Sequence, residues 1–331
     1  MQSEKNIDSS GRAVFLSKGC YRMEKVRTDT IKNRTLLFTG ASGFLGRNIL
    51  GMLERMFGSV TTLGRHPAND IAVDLATDEP AFDRQFDVVL HAAGMAHHVL
   101  QDKKNEKLFF DVNYGGTVNL CKALEKVGVP HSFVFVSTVA VYGCERGEMI
   151  SEEHPLEGKT PYAKSKIMAE EYLCAWCAAH GVVLTILRPA LIAGVNPPGN
   201  LGSMIDGIRK GFYAEISGGR ARKSLLMAGD IVRLLPLVMD KGGVYNLCDN
   251  THPSLGELAR LIAARHGKHR IVALPYPAAR LLALAGDMLG RRFPLSSSRL
   301  SKLTGSLTFS NRKATEELGW SPTSVLDSDW L

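Results

Sequence analysis

From Arg34 onward the apolar residues fall into two alternating rhythms. RTLLFTG is a short run of apolar and β-favouring residues, and the ASGFLGRNILGMLERM that follows carries its apolar positions at helical spacing. The pattern predicts a strand, a glycine-rich turn and a helix. Further strands are predicted at SVTTLGR (59–65), FDVVLHAAG (86–94), HSFVFVSTVAVYG (131–143) and VVLTILRPA (182–190). Helices are predicted between them, at DVNYGGTVNLCKALEKVG (111–128) and from about Tyr162 to His180. Strand and helix repeated at this spacing predict an α/β fold, a Rossmann-like doubly wound parallel sheet. Ligands of such sheets sit beyond the carboxyl ends of the strands. Gly40, Ala92 to Gly94, Ser137, Thr138 and Pro189 all fall at those ends, around one crevice.

The turn TGASGFLG spaces Gly40, Gly43 and Gly46 so that a helix N-terminus is reached without side chains in the way. Such a turn lets a pyrophosphate lie against free backbone N–H groups. The second strand ends about 20 residues further on, where an acidic residue would hold the ribose 2′-hydroxyl of NAD. Gly64, Arg65 and His66 stand there instead. An arginine at that position accepts a 2′-phosphate, so NADP(H) is favoured and NAD(H) is the alternative. Asp74, beside Leu75, follows another short strand and either accepts from the adenine amine or caps the next segment.

The expected organisation is a disordered extension over residues 1–33, a dinucleotide-binding domain over 34–188 and a mainly substrate-binding α/β domain over 189–331. SLGELARLIAARHG (254–267) reads as a helix with a serine cap and a glycine stop. GGVYNLCD (242–249) reads as a strand returning to the smaller domain or to the main sheet.

Composition narrows the function classes. With 45% hydrophobic and 22% charged residues among 331, the chain can bury an ordinary core. The net charge is +7, and the first 34 residues supply eight Lys or Arg against four Asp or Glu. No basic stripe with interleaved aromatics suggests nucleic acid as a partner. Six cysteines lack a framework spacing, as in a reducing compartment, and the CAWC pair (174–177) reads as helix packing. His97 and His98 have no completing ligands, so no metal is expected. No apolar run is long enough to span a bilayer, and the leader lacks a signal-type apolar core, so a cytoplasmic protein is expected. AARLLALAGDMLGRR (278–292) reads as an amphipathic helix on the body, with membrane-surface contact as the alternative.

PYAKSK (161–166) places Tyr162 and Lys166 on one helical face. Taken with TGASGFLG, HAAG, VNYGGT and VSTVAVYG in that order, the chain resembles the extended short-chain dehydrogenase/reductase superfamily, in its NAD-dependent epimerase/dehydratase group. The likeness runs from about Thr35 to KATEELGWSP (313–322). It implies that Tyr162 is the acid/base, that Lys166 holds the cofactor ribose and lowers the phenol pKa, and that Thr138 hydrogen-bonds the reacting oxygen. It also implies a cofactor site of Gly40, Ser42, Gly43, Phe44, Leu45, Gly46, Arg65, Asp74, Leu75, Ala92, Ala93, Gly94, Asn113, Tyr162, Lys166 and Pro189. A homodimer is the assembly common in that family.

Nucleotide-sugar 4,6-dehydratases of the family carry Thr-Asp-Glu where this chain reads Thr138, Val139, Ala140. Without those carboxylates the dehydratase reading is rejected. GMAHHVLQD, LRPALIAGVNPPGNL and RKSLLMAGD resemble bacterial enzymes that make 6-deoxy-N-acetylhexosamine nucleotides for surface polysaccharides such as O-antigen. That likeness places Asn200, Leu201, Arg222 and Lys223 at a UDP-sugar diphosphate, although Lys223 replaces the family's usual arginine, and Ala193 and Gly194 stand where Tyr-Gly is common. The leading expectation is NAD(P)H-dependent reduction of a UDP-4-keto-6-deoxy-N-acetylhexosamine; the alternative is a UDP-sugar 4-epimerase with tightly bound NAD.

Overall fold

The computed structural model describes residues 6–7, 13–14, 31–96, 103–268, 270–289 and 295–331. His97, His98, Cys20 and most of the leader lie outside the described residues. Within the leader, β1 (Asn6–Ile7) and β2 (Ala13–Val14) pair antiparallel.

The main sheet has seven parallel strands. They are β3 (Thr35–Thr39), β4 (Ser59–Gly64), β5 (Ile71–Ala72), β6 (Val88–His91), β7 (Ser132–Val136), β9 (Val183–Pro189) and β13 (Gly243–Leu247), in the order β13-β9-β7-β6-β3-β4-β5. Successive side chains on a strand point to opposite faces, and this divides the core into two layers. Leu36, Phe38, Val88, Leu90, Val134 and Val136 face one layer with Ile49 and Leu53 of helix α1 (Phe44–Met56). Leu37, Val89, Phe133 and Phe135 face the other, with Leu120 and Leu124 of α3 (Gly116–Val127) and Leu173 and Trp176 of α4 (Pro161–His180). The central strands β3, β6 and β7 are buried on both faces, which is why they read as apolar runs.

The helix expected over 111–128 is interrupted. Helix α2 (Lys103–Phe110) runs into a single π-helical turn, Asp111–Gly115, before α3 begins. Residues beyond Pro189 also contribute to the main layers. β13 pairs with β9 from Gly243↔Thr185 to Leu247↔Pro189, and α6 (Ala228–Val238) packs Ile231, Val232 and Leu235 beside α1.

A smaller cluster joins Leu201, Met204 and Ile208 of α5 (Gly199–Lys210) to Leu258, Ala259 and Ile262 of α7 (Leu255–Arg265). Helix α7 opens with a capping box, Ser254 and Glu257 satisfying each other's backbone N–H groups. Three two-stranded parallel pairs complete this region. β10 (Leu191–Ala193) pairs with β12 (Leu225–Met227), β11 (Ala214–Ile216) with β14 (Val272–Leu274), and β8 (Gly147–Ile150) with β15 (Leu307–Phe309). The last helices are α8 (Tyr276–Leu289), α9 (Ser297–Thr304) and α10 (Arg312–Leu318). Among the described residues no helix is long and apolar enough to cross a membrane.

Candidate active site

The glycine turn closes against the next strand end. Gly40 adopts φ +85°, and a Cβ there would lie 2.7 Å from the Ala93 nitrogen. A Cβ on Gly46 would meet the Ala41 carbonyl oxygen at 2.3 Å. Only glycine fits either place. Gly43, the N-cap of α1, has no side-chain cap, and no acidic residue occupies the first turn. Ser42 and Gly43 are exposed and Phe44 and Leu45 half-buried, so the helix start is open to an anionic group.

Arg65 is exposed just after β4 and makes no hydrogen bond or ion pair among the described residues. Asp74 caps its own turn, its carboxylate accepting from the Ala76 N–H at 3.1 Å, while Leu75 packs into the core. Ala92, Ala93 and Gly94 continue from β6. Asn113, in the π-helical turn, holds this segment on both sides: its Oδ1 accepts from Met95 N–H at 2.7 Å and its Nδ2 donates to the Met95 carbonyl at 3.1 Å. The same Nδ2 donates to Ser165 Oγ at 2.9 Å, which ties the strand end to the helix bearing Tyr162.

Helix α4 starts where local chemistry dictates. Thr160 accepts from the Ala163 N–H at 3.1 Å, Pro161 occupies the first turn, and Gly181 in the left-handed region ends the helix. Tyr162, Lys166 and Glu170 follow at four-residue intervals. Tyr162 is half-buried, and the Thr138 hydroxyl favours the ionised form of its phenol. Thr138 caps the 3-10 turn Val139–Tyr142 at the end of β7, accepting from Ala140 N–H at 3.1 Å. Lys166 is 4% exposed, donates to the Val136 carbonyl at 2.8 Å and lies 4.2 Å from the centre of the Phe135 ring.

Two expectations need correction. Burial pushes the Tyr162 phenol above its ordinary pKa, the Thr138 hydrogen bond opposing it, so the net shift is the reverse of the lowering assigned to Lys166. Burial likewise brings the Lys166 ammonium down to about 7, with the Glu170 carboxylate resisting. The CAWC pair is also divided: Cys177 is buried but Cys174 is exposed.

Sequence reasoning missed the polar chain beneath this face. Ser137 Oγ donates to Glu170 Oε1. Glu170 forms a buried ion pair with Arg188, Nη2 to Oε2 at 2.6 Å, and Arg188 Nη1 donates to the Tyr142 hydroxyl at 3.1 Å. Tyr142 donates to Asn246 Oδ1 at 2.7 Å, and Asn246 N–H donates to Glu152 at 2.7 Å. The chain thus links β7, α4, β9 and β13. Burial lifts the Tyr142 phenol, while the Arg188 guanidinium opposes the shift. The only hint in the sequence was the spacing of Glu170 from Lys166.

The residues expected at a substrate diphosphate lie on two segments, the start of α5 and the residues leading into β12. Asn200 is exposed in the first turn of α5, whereas the Leu201 side chain is 1% exposed and packs in the smaller core. Arg222 donates to the His252 carbonyl at 3.0 Å and faces Glu257 at 3.9 Å. Lys223 donates to the Gly305 carbonyl at 2.8 Å. Pro189 ends β9 in the buried layer. No cluster of three or more potential metal ligands occurs among the described residues.

A parallel sheet whose glycine turn opens onto a helix start, next to a tyrosine and a buried lysine, defines a dinucleotide-dependent enzyme of the extended short-chain dehydrogenase/reductase type. Residues 36–248 match the NAD dependent epimerase/dehydratase family, and the chain belongs to it. It is 31% identical over 299 residues to N-acetyl-alpha-D-glucosaminyl-diphospho-ditrans,octacis-undecaprenol 4-epimerase of Escherichia coli O157:H7, covering 85% of this chain and 88% of that one. It is 27% identical over 321 residues to UDP-glucose 4-epimerase of Vibrio cholerae, covering 88% and 92%. In fold it is similar to RMD from Pseudomonas aeruginosa complexed with NADPH, at a TM-score of 0.68 and 22% identity over 89% of this chain and 95% of that one.

Proposed function

We propose that this chain is a 4-epimerase of a sugar carried on a diphosphate. The observation that carries the reading is the set of groups at the crevice: a phenol, a hydroxyl and a buried amine, with Val139 and Ala140 in place of dehydratase carboxylates. Such a set moves one proton at one carbinol and lacks the acid and base needed to expel water from the neighbouring carbons. Relatedness to two epimerases, one named for a polyprenyl diphosphate sugar and one for UDP-glucose, supports the reading.

The cofactor, held by Gly40, Gly43, Gly46, Asn113 and Lys166, supplies hydride exchange at C4 when bound. Tyr162 takes the proton of the C4 hydroxyl and later returns it, while Thr138 orients the same oxygen. The burial that keeps the phenol protonated sets Tyr162 to donate in the reducing direction. In the oxidising direction the Thr138 hydroxyl, which opposes the upward shift of the phenol, favours the phenolate that forms.

A second reading, NADPH-dependent reduction of a UDP-4-keto-6-deoxy-N-acetylhexosamine, is favoured by Arg65, which is exposed and has no partner among the described residues, following β4 at the position where a 2′-phosphate is expected. One experiment separates the two. The purified protein is given UDP-N-acetylglucosamine, undecaprenyl-diphospho-N-acetylglucosamine or the 4-keto sugar with NADPH, and the sugar is followed by NMR alongside nicotinamide absorbance. Inversion at C4 with no net nicotinamide change supports the epimerase. Stoichiometric NADPH loss with a 4-hydroxy product replaces it with the reductase.

A further inference from the structure

Helix α8 is packed inside out. Its buried residues are Ala279, Ala283 and Gly286, and the two alanines pack on Leu300 of α9, Ile216 and Leu274. Its large apolar residues face solvent: Leu281 is 70% exposed, Leu284 49%, Met288 90% and Leu289 67%. At about 100° per residue, Leu281, Leu282, Leu284, Met288 and Leu289 share one arc of about 160° opposite the small-residue face. The half-buried Ala285 falls within that arc, and Arg280 borders it.

The stretch of sequence that carries the helix is lopsided in charge, although Arg265 pairs with Asp329 and Lys302 with Glu145. From Arg265 to Lys302 the sequence holds eight Lys or Arg residues and a single acidic one, Asp287. That excess equals the +7 of the entire chain, so the remaining residues sum to zero. Lys268, Arg270 and Arg280 are exposed and form no ion pair among the described residues. Asp287, the lone acidic group, is occupied as an acceptor for the Ser297 N–H at 3.0 Å.

We propose that the outward face of α8 docks on the anionic surface of a lipid bilayer, its leucines and Met288 entering the headgroup boundary and Lys268, Arg270 and Arg280 facing acidic lipids. A wide apolar arc within a net-positive segment is the arrangement that binds such surfaces in the interface plane. A second copy of the chain fits the charge less well, because a self-complementary contact would oppose like-charged rims. The proposal goes beyond the reaction and holds whichever diphosphate carrier the active site accepts.

The test is flotation of the full-length protein with vesicles of phosphatidylcholine alone and with about 30 mol% phosphatidylglycerol, at low and high salt. Binding is expected with anionic vesicles, and it should fall at least about fivefold in the triple variant Leu281→Gln, Leu284→Gln, Met288→Gln. Arg270→Glu with Arg280→Glu should weaken binding most at low salt. Circular dichroism and turnover of a water-soluble UDP-sugar should match the parent protein for both variants. No flotation with anionic vesicles, or flotation that the triple variant retains, overturns the proposal. An oligomer abolished by the triple variant, with no vesicle binding, assigns the face to a second copy and overturns it equally.

Discussion

Helix α4 buries Ser165, Lys166 and Glu170, whereas helix α8 buries two alanines and a glycine and leaves its leucines in solvent. Both depart from the ordinary placement of polar and apolar residues. In α4 every one of these buried polar groups has a partner: Ser165 bonds Asn113, Lys166 the Val136 carbonyl and Glu170 the Arg188 guanidinium. In α8 the exposed apolar groups are left uncovered by the described residues. On the readings proposed above, the buried, satisfied polar cluster serves chemistry inside the molecule and the exposed apolar surface serves contact beyond it.

The sharpest way to break the comparison is to remove the reactive group of α4. Tyr162→Phe is expected to lower kcat by about 10²- to 10⁴-fold, as loss of an acid/base group does, while leaving fluorescence-detected dinucleotide binding within about twofold. Unchanged turnover would remove Tyr162 from the reaction.

Next in size is the support beneath it. Arg188→Met strands Glu170 as a buried, unpaired carboxylate and should destabilise the protein by about 3–5 kcal/mol in urea unfolding. A loss no larger than that of a surface substitution would mean that the pair is not buried in solution.

Acid sharpens the picture through His91, on the strand end beside the cofactor turn. It is 1% exposed and held between Thr39 at 2.6 Å and Thr117 at 2.9 Å, and burial lowers its pKa to about 3, the Lys166 charge adding to the shift. The unfolded chain takes up this proton near pH 6.5 and the folded one does not, so stability falls as pH drops from 6.5 toward 3. About 3 kcal/mol should be lost by pH 4, and His91→Gln should flatten that limb.

Lys166 titrates in the neutral-to-alkaline range instead. Its folded pKa of about 7 lies below the unfolded value, so its contribution to stability rises with pH from about 7 toward 10.5. Lys166→Met should abolish turnover yet stabilise the fold at pH 7 by on the order of 1 kcal/mol, the transfer gain being offset in part by the unpaired Val136 carbonyl. A lower melting temperature in this variant would contradict the burial cost assigned to Lys166.

The smallest effect belongs to α8. Leu281→Gln alone should alter stability by no more than about 0.5 kcal/mol, because the side chain has few atoms around it to lose. A loss of about 2 kcal/mol or more, comparable to a core truncation, would show that the arc is covered in the isolated protein.

The two-layer sheet was legible because strands buried on both faces are written as unbroken apolar runs, and the glycine turn because Gly40 and Gly46 occupy places where any Cβ collides with backbone. Local patterns specify such features wherever the chain ends up. The α4 start was also legible, expected at about Tyr162 and found at Pro161. Only the tertiary structure decided that Glu170, Arg188, Tyr142 and Asn246 form one chain, since these residues lie up to 104 positions apart and no periodicity joins them. It also decided that Lys166 faces a carbonyl and an aromatic ring, that burial raises the Tyr162 phenol rather than lowering it, and that the leucines of α8 point away from the core. The amphipathic pattern fixed that α8 would have an apolar face, but which face meets the protein depends on the size of the gap beneath it, and the gap beside Leu300 is lined by the small side chains of Ala279 and Ala283.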